Sequence, residues 1–425
     1  MDYIAIKDVP QHDGKTIALR GWVHRMRDQK ALVFIILRDS TGTIQVAVKD
    51  EKALEHARKA TQESSIEISG LVKKDPRAPT GYEVQAKEFK IIGPAERWPI
   101  EHKKEEELTE EFLRDVRHLY IREPKMVAMF KVRSAVFQAI RKFYESRGYY
   151  EFQSPIFTTL GCEGGSTLFS VKYGEKKGIY LSQSWQLYAE AMIYGLEKIF
   201  TISPSFRAEK SRTIRHLSEY WHHEMETAWM GHEELMSFEE DLIIFIAKYI
   251  YEHCKGELAV LGAPLERFET LKKPFLRMTY FEAIEKLGKK QGDDITDKEE
   301  RELLEQLGGR PVFLTSFRRD MKAFYMRPDP KDPKVVLASD LLLPGVGEVI
   351  GGSERISDEK HLLESLKMFK LPQKDYHWYL DLTKYGPVPH SGFGLGIERL
   401  LMWLTGAPHI FDTIAFPRSL DRVTP

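Results

Sequence analysis

Only two cysteines, Cys162 and Cys254, occur among 425 residues, and neither belongs to a CxxC pair or to a His/Cys cluster at zinc spacing. That scarcity argues against a disulfide framework and a structural zinc site, and it suits a reducing cytoplasm. Long apolar runs are missing too. The most apolar stretch, "LIIFIAKYIY" from Leu242, is too short and too interrupted to span a bilayer, and "MDYIAIKDVP" at the N-terminus lacks a basic region ahead of an apolar core. No membrane partner is expected. An excess of one charge is also lacking: 63 basic and 64 acidic side chains leave a formal charge of −1, which does not advertise a nucleic-acid partner. What is present is an ordinary globular composition, 42% hydrophobic and 30% charged, long enough for about two or three domains. Basic side chains gather only locally, in "RGWVHRMRDQK" from Arg20 and "FRAEKSRTIRH" from Phe206.

The first hundred residues hold five short alternating, β-branched segments: "TIALRGWVH", "LVFIILRD", "TIQVAV", "SIEISGLV" and "YEVQAKEFKII". Turn signals separate them, and residues 51–60 read as a helix. Five strands in so short a span predict a small closed barrel, most simply the five-stranded oligonucleotide-binding (OB) fold, with an SH3-like barrel as the alternative. Residues 99–119 are dense in charge and poor in large apolar groups, as in a hinge or linker. Beyond them, an amphipathic helix is predicted over residues 125–147, ending at Gly148 and running into a strand, "YYEFQSPIFT", that carries Pro155. "KIFTISPSFRAE" and "SEYWHHEMETAWM" alternate like two antiparallel strands joined by a charged loop. "QSWQLYAEAM" reads as the first turns of a helix on which Gln186 and Glu190 share a stripe.

Three segments carry chemistry. Arg207 and Glu209 share one strand face, and Glu224 and Glu226 lie on a strand that could pair opposite. An arginine fork suits phosphate, and carboxylates suit an ammonium or a magnesium ion; an exposed ion-pair ladder would look the same. "GEVIGGSERI" supplies Glu348 and Arg355. "GFGLGIERL" places Gly392, Gly394 and Gly396 where a ligand could approach the backbone closely, and Arg399 in the first turn of the helix they open.

Together these segments resemble the class II aminoacyl-tRNA synthetases. "YYEFQSPIF" with its preceding helix is similar to motif 1 of that class, "FRAEKSRTIRHLSEYW" to motif 2 and "GLGIERL" to motif 3. The resemblance covers residues 120–425, and the barrel is similar to the anticodon-binding domain of the subgroup that activates aspartate, asparagine and lysine. It implies an α+β protein in three parts: an OB-fold anticodon-binding domain over 1–98, a hinge over 99–119, and over 120–425 a catalytic domain built on an antiparallel sheet flanked by helices.

The same resemblance implies an ATP-dependent ligase using Mg2+. Arg207 would bind the α-phosphate, Arg399 and His216 the outer phosphates, Glu209 the adenine amino group and Tyr220 the adenine ring, with Arg215, Leu217, Gly396, Ile397 and Glu398 completing the ATP site. Glu348 and Asp340 would hold magnesium. Arg207, Glu348 and Arg399 form the implied catalytic set. Adenylate formation is an in-line attack by the amino-acid carboxylate on the α-phosphorus, catalysed by positioning and charge neutralisation, so no side-chain nucleophile is expected. Lys210, Arg212 and Arg215 would clamp the acceptor end of tRNA. Phe34 would stack an anticodon base, with Gln45 and Glu83 reading base edges and Arg20, Arg25 and Arg27 contacting the backbone. The motif 1 helix and Pro155 imply a homodimer.

Within the subgroup the sequence is more similar to the asparaginyl branch. Aspartyl enzymes carry a lysine where Ala189 stands, and Glu190 is the acid found in asparaginyl relatives, where it would accept from the substrate amide. Arg355 would donate to the amide oxygen; Gln186 and Gly351 line the same pocket, and Glu163 and Glu224 lie near the substrate ammonium. Aspartate would set a carboxylate against Glu190 with no cation to offset it, a cost of several kcal/mol. The implied substrates are L-asparagine, ATP and tRNA(Asn). Three alternatives stay open: an aspartyl enzyme of relaxed tRNA specificity, a synthetase-related asparagine synthetase, and a non-catalytic RNA-binding paralogue.

Overall fold

The structure, a computed structural model, describes residues 2–100, 108–162, 167–208 and 214–425. The chain divides into two compact units, Met1–Leu113 and Arg114–Pro425.

In the first unit, strands β1 (Thr16–Gln29), β2 (Leu32–Arg38), β3 (Thr43–Val48), β4 (Ser65–Lys74) and β5 (Tyr82–Gly93) close into a barrel in the order β1-β2-β3-β5-β4. The period of two does the sorting. Along β2, Val33, Ile35 and Leu37 are fully buried in the barrel core, while Phe34 and Ile36 face outward and are half-buried. Helix α1 (Glu51–Ala57) packs Ala53, Leu54 and Ala57 onto that core. Asp50 caps it by accepting from the Lys52 and Ala53 N–H groups, each at 3.1 Å.

The second unit is built on an eight-stranded sheet. Its strands are β6 (Tyr150–Glu151), β9 (Lys198–Phe206), β10 (Glu219–Ala228), β11 (Leu276–Thr279), β12 (Val312–Thr315), β13 (Ala338–Leu343), β14 (Gly347–Glu354) and β15 (His390–Gly396), ordered β11-β12-β13-β14-β15-β10-β9-β6. The pairings are antiparallel except at the two edges, where β11 runs parallel to β12 and β6 to β9. One face packs against helices α2 (Pro124–Glu145) and α4 (His232–His253), burying Val132, Val136, Ile140, Phe143, Ile243 and Ile246 completely. Each such side chain contributes about 1.5–3 kcal/mol. The other face carries α3 (Gln186–Leu196), α5 (Asp297–Gln306) and α6 (His377–Asp381) at its margins, and α7 (Ile397–Thr405) follows β15 directly.

One predicted element needs correction. The single strand expected over "YYEFQSPIFT" is two: β6 stops at Glu151, and β7 (Phe157–Thr158) belongs to a separate pair with β8 (Tyr180–Leu181). Pro155 lies between them, where its missing N–H removes no ladder hydrogen bond. The sequence "DLLLPGVGEVIGG" is a hairpin, β13 to β14, turning through Gly345 and Gly347, both at positive φ.

Candidate active site

A cavity of about 410 Å3 opens on the sheet face opposite α2 and α4. Strand register places its acids. Glu224 and Glu226, two residues apart on β10, both line it, and their cross-strand partners on β15 are Gly394 and Gly392. These glycines make room for the protein's own side chains, and Gly394 also lines the cavity. A Cβ at Gly392 would collide with the Glu226 carboxylate, and one at Gly394 with the His222 ring.

At one end of the cavity stands a buried ionic quartet. Arg355 donates through Nε to Glu226 at 3.1 Å, through Nη2 to the other Glu226 oxygen at 3.0 Å, and through Nη1 to Ser353 Oγ at 2.7 Å. Behind this pair lies Glu190, 1% exposed. It accepts from Gln186 Nε2 at 2.8 Å and from the Tyr379 hydroxyl of α6 at 2.6 Å, and His390 Nε2 is 3.1 Å away. Burial pushes the Glu190 carboxyl up, but the hydrogen bond and charge of His390, then Arg355 and Tyr379, outweigh it and hold the group below its ordinary range. Burial would lower the His390 imidazole, yet Glu190 holds it above its ordinary value, and Nδ1 also donates to the Val388 carbonyl at 2.8 Å. Glu226 is raised, chiefly by burial, against the pull of Arg355. Two acids thus face two bases, Glu190 against His390 and Glu226 against Arg355, and among the described residues no further cation pairs with either acid.

This geometry corrects two of the implied amino-acid contacts. Glu190 does not line the cavity; both of its oxygens are held from within the protein, and Glu226 is the acid that reaches the wall. Ala189 is fully buried in a small apolar cluster with Trp185, Ile193 and Ile199. Gln186, Arg207, Glu224, Gly351 and Arg355 do line the cavity. Glu224 also fixes the start of α3, accepting from Ser184 Oγ and, at 3.0 Å, from the Trp185 N–H.

The other end gathers the residues implied for the nucleotide. Arg399, in the first turn of α7, donates to the Glu348 carbonyl at 3.0 Å and to its carboxylate at 3.1 Å, and its Nη2 is 3.4 Å from His216 Nε2. The Arg207 guanidinium lies 5.6 Å from the centre of the Tyr220 ring. Leu217 and Gly396 line the wall as well. Ile397 does not; it is fully buried in the core beneath the sheet. Glu398 touches the cavity, but its carboxylate pairs with Arg133 at 2.8 Å and accepts from the Trp221 N–H at 3.1 Å. Arg215 is also committed. Buried at 5% exposure, it pairs with Asp297 and Glu300 of α5, so it does not present its charge to an RNA acceptor end. Glu300 accepts from the Glu348 N–H at 2.9 Å and thereby ties Arg215 to β14.

Asp340 and Glu348 converge over Gly351: a Cβ there would lie 3.6 Å from Asp340 Oδ1 and 3.2 Å from Glu348 Oε1. Burial raises the Asp340 carboxyl to about 6 against the pull of Lys322, with Glu348 adding to the rise. Glu348 is instead brought down to about 2, because Arg399, Lys322 and Arg215 outweigh its burial. Among the described residues no group of three or more His, Cys, Asp or Glu is arranged to hold a metal. Two hard carboxylates on one wall nevertheless suit magnesium, which characteristically takes one or two carboxylates and completes its shell with water and substrate phosphate.

On the barrel, strand pairing aligns most of the residues implied for tRNA. Arg27 pairs with Phe34, and Arg25 with Ile36, which pairs with Gln45, which pairs with Glu83. Gln45 donates to Glu83 at 3.2 Å. Arg20 sits apart, further along β1 opposite Glu67 of β4, with its guanidinium 5.1 Å from the Tyr3 ring centre. Glu163, Glu209, Lys210 and Arg212 lie outside the described residues.

Two cavity residues carried no legible signal: Lys322 lies in an irregular segment and His222 inside a strand alternation. Nor did Glu300, which stands behind the wall and holds Arg215.

Comparison with known proteins agrees with this architecture. Residues 109–420 match the family model of tRNA synthetases class II (D, K and N), and residues 17–92 that of the OB-fold nucleic acid binding domain. The asparagine–tRNA ligase of Thermococcus gammatolerans is 45% identical, with 100% of each chain covered. The structure of asparaginyl-tRNA synthetase from Pyrococcus horikoshii complexed with asparaginyl-adenylate superposes with a TM-score of 0.96 at 43% identity, over 100% of both chains. That of the Entamoeba histolytica asparaginyl-tRNA synthetase, also with asparaginyl-adenylate, gives 0.89 at 33% identity over 100% of both. A catalytic sheet, a nucleotide-sized cavity and a barrel of this kind in one chain, matched over their whole length, place it among the class II tRNA synthetases of the D, K and N group, as a member of the asparagine–tRNA ligases.

Proposed function

We propose that the chain activates L-asparagine with ATP, giving asparaginyl-adenylate and diphosphate, and transfers the asparaginyl group to the 3′ end of tRNA(Asn) with release of AMP. The single observation that carries the choice of amino acid is the balanced quartet of Glu190, His390, Glu226 and Arg355. An asparagine amide is neutral and offers both a donor and an acceptor, so it can meet Glu226 and Arg355 without disturbing that balance. An aspartate carboxylate would add an uncompensated charge beside Glu226, at a cost of several kcal/mol. Glu190 acts one step back, setting Gln186 and holding His390.

Arg207 is suited to the α-phosphate and to the attacking carboxylate, whose charges it would draw together. Arg399 and His216, at the far end of the cavity, are suited to the outer phosphates, and Tyr220 to the adenine ring. Asp340 and Glu348 would hold Mg2+, which when bound neutralises phosphate charge. Glu224 is suited to the substrate ammonium while its two oxygens keep α3 in place. The barrel, residues 1–98, is suited to the anticodon through Phe34, Gln45, Glu83, Arg25 and Arg27, with residues 99–119 as the connector to the catalytic domain over 120–425. A homodimer is supported by the exposed aromatic rings of the motif 1 segment, Tyr150 at 58% and Phe157 at 49%. Among the described residues no helix is long and apolar enough to cross a membrane, and the cysteine usage fits the cytoplasm.

ATP–pyrophosphate exchange run side by side with asparagine and aspartate tests the reading. Exchange is expected with asparagine; exchange supported by aspartate alone would overturn the choice of amino acid.

A further inference from the structure

Lys322 is a cavity cation that neither the synthetase motifs nor the proposed amino-acid contacts include. It follows a short 3-10 turn, Arg319–Met321, and lines the cavity together with Met321, Ala323 and Tyr325. Its Nζ reaches both oxygens of Asp340, at 2.7 and 2.5 Å, and lies 3.8 Å from the centre of the Phe317 ring. Both partners are mostly shielded from solvent, with side chains 19% and 18% exposed. The lysine thus grips one of the two carboxylates that converge over Gly351, and Arg399 grips the other, Glu348. Two acids and two cations share one wall, and their charges cancel.

A hard divalent cation drawn to Asp340 needs the same two oxygens that the ammonium holds. Ammonium and dication cannot both sit there at close range, because like charges in a partly desolvated site repel strongly. An ammonium displaced by a few ångströms remains in the cavity, where the polyanionic phosphate tail of ATP is its natural counter-ion. Lysine suits such a move better than arginine, being a compact charge on a flexible stem.

We propose that Lys322 competes with a divalent cation for the Asp340 carboxylate and, when the cation holds Asp340, pairs with the phosphate tail of the nucleotide. It is a phosphate-binding residue whose resting partner is a metal ligand. This rests on the reading of the cavity as the ATP site.

The competition gives two effects of opposite sign in one variant. In Lys322→Met, Mn2+ binding to the full-length protein without nucleotide, followed by electron paramagnetic resonance, is expected to tighten about tenfold, the scale of one partly shielded ion pair. In ATP–pyrophosphate exchange the same variant is expected to raise the KM for ATP about tenfold and leave the KM for asparagine unchanged. Lys322→Arg, which keeps the charge, should return the KM for ATP towards that of the parent. Unchanged or weaker Mn2+ binding in Lys322→Met would overturn the competition, and an unchanged KM for ATP would overturn the phosphate contact. A melting temperature close to that of the parent shows that the variant is folded; if it is not, Lys322→Gln is read by the same two measurements. The Mn2+ arm needs no amino acid, so its failure is distinct from an error in the choice of asparagine.

Discussion

The barrel and the catalytic sheet use charged residues in opposite ways. On the barrel, Arg25 and Arg27 are exposed, in a row that strand register fixes and that no ion pair neutralises among the described residues. At the cavity wall and just behind it, Arg355, Glu226, Glu190 and His390 are each buried to within a few per cent, and each is paired with a group of opposite kind. The difference separates two kinds of recognition. An exposed row gains affinity from long-range attraction and stacking and tolerates the loss of a member. A buried balanced set gains discrimination, because one added or missing charge has nothing to answer it.

The largest expected effect follows from breaking that balance. Arg355→Leu should cost about 3–5 kcal/mol in urea unfolding of the full chain, since it leaves Glu226 buried without its partner. Arg25→Leu, at an exposed barrel position, should stay within about 0.5 kcal/mol. Equal costs at the two positions would dissolve the contrast.

A smaller effect tests the barrel side. Phe34→Ala should reduce kcat/KM for tRNA by an amount equivalent to about 1–3 kcal/mol, the range for losing one stacked base, and leave ATP–pyrophosphate exchange untouched. Loss of both activities together would mean that the ring serves the fold rather than RNA.

The smallest effect concerns pH. His390 is raised by Glu190, so its contribution to stability is complete below the ordinary imidazole range and is lost as pH rises through its raised value. Glu190 is depressed, so its contribution is complete above the ordinary carboxylate range and fades as pH falls through the lowered value. Melting temperature measured against pH should therefore show a plateau between these limits, and His390→Asn should lower it and remove its alkaline edge, because no imidazole is left to titrate. A plateau of unchanged width in that variant would show that the imidazole does not carry the charge assigned to it.

How much of this was legible beforehand also follows the contrast. The five barrel strands, and the neighbourhood of Phe34, Gln45 and Glu83, were readable because a period of two and short turns fix which side chains share a face. Motifs 2 and 3 located Arg207 and Arg399, and the glycine-rich segment "GEVIGGSERI" located Glu348, for the same local reason, since each sits at the end of a strand or the start of a helix. Glu190 shows the limit. Its helix and stripe were correct, but the stripe could not reveal that Tyr379 and His390, far along the chain, close over it and leave Glu226 facing the cavity. Arg215 shows the same limit: it lines the cavity as expected, but its ion pairs with Asp297 and Glu300 of α5, distant in sequence, were not legible in the basic loop. Partner choice across long sequence separation was the missing information.

The most direct test is the ratio of kcat/KM for asparagine to that for aspartate in ATP–pyrophosphate exchange, compared between the parent, Glu226→Gln and Glu190→Gln. The expected result is a fall of about a hundredfold in Glu226→Gln, matching the loss of a repulsion of several kcal/mol, with a smaller fall in Glu190→Gln, whose carboxylate acts through Gln186 and His390. A ratio unchanged in Glu226→Gln but collapsed in Glu190→Gln would return the recognition of the amide to Glu190 and contradict the assignment made from the cavity wall.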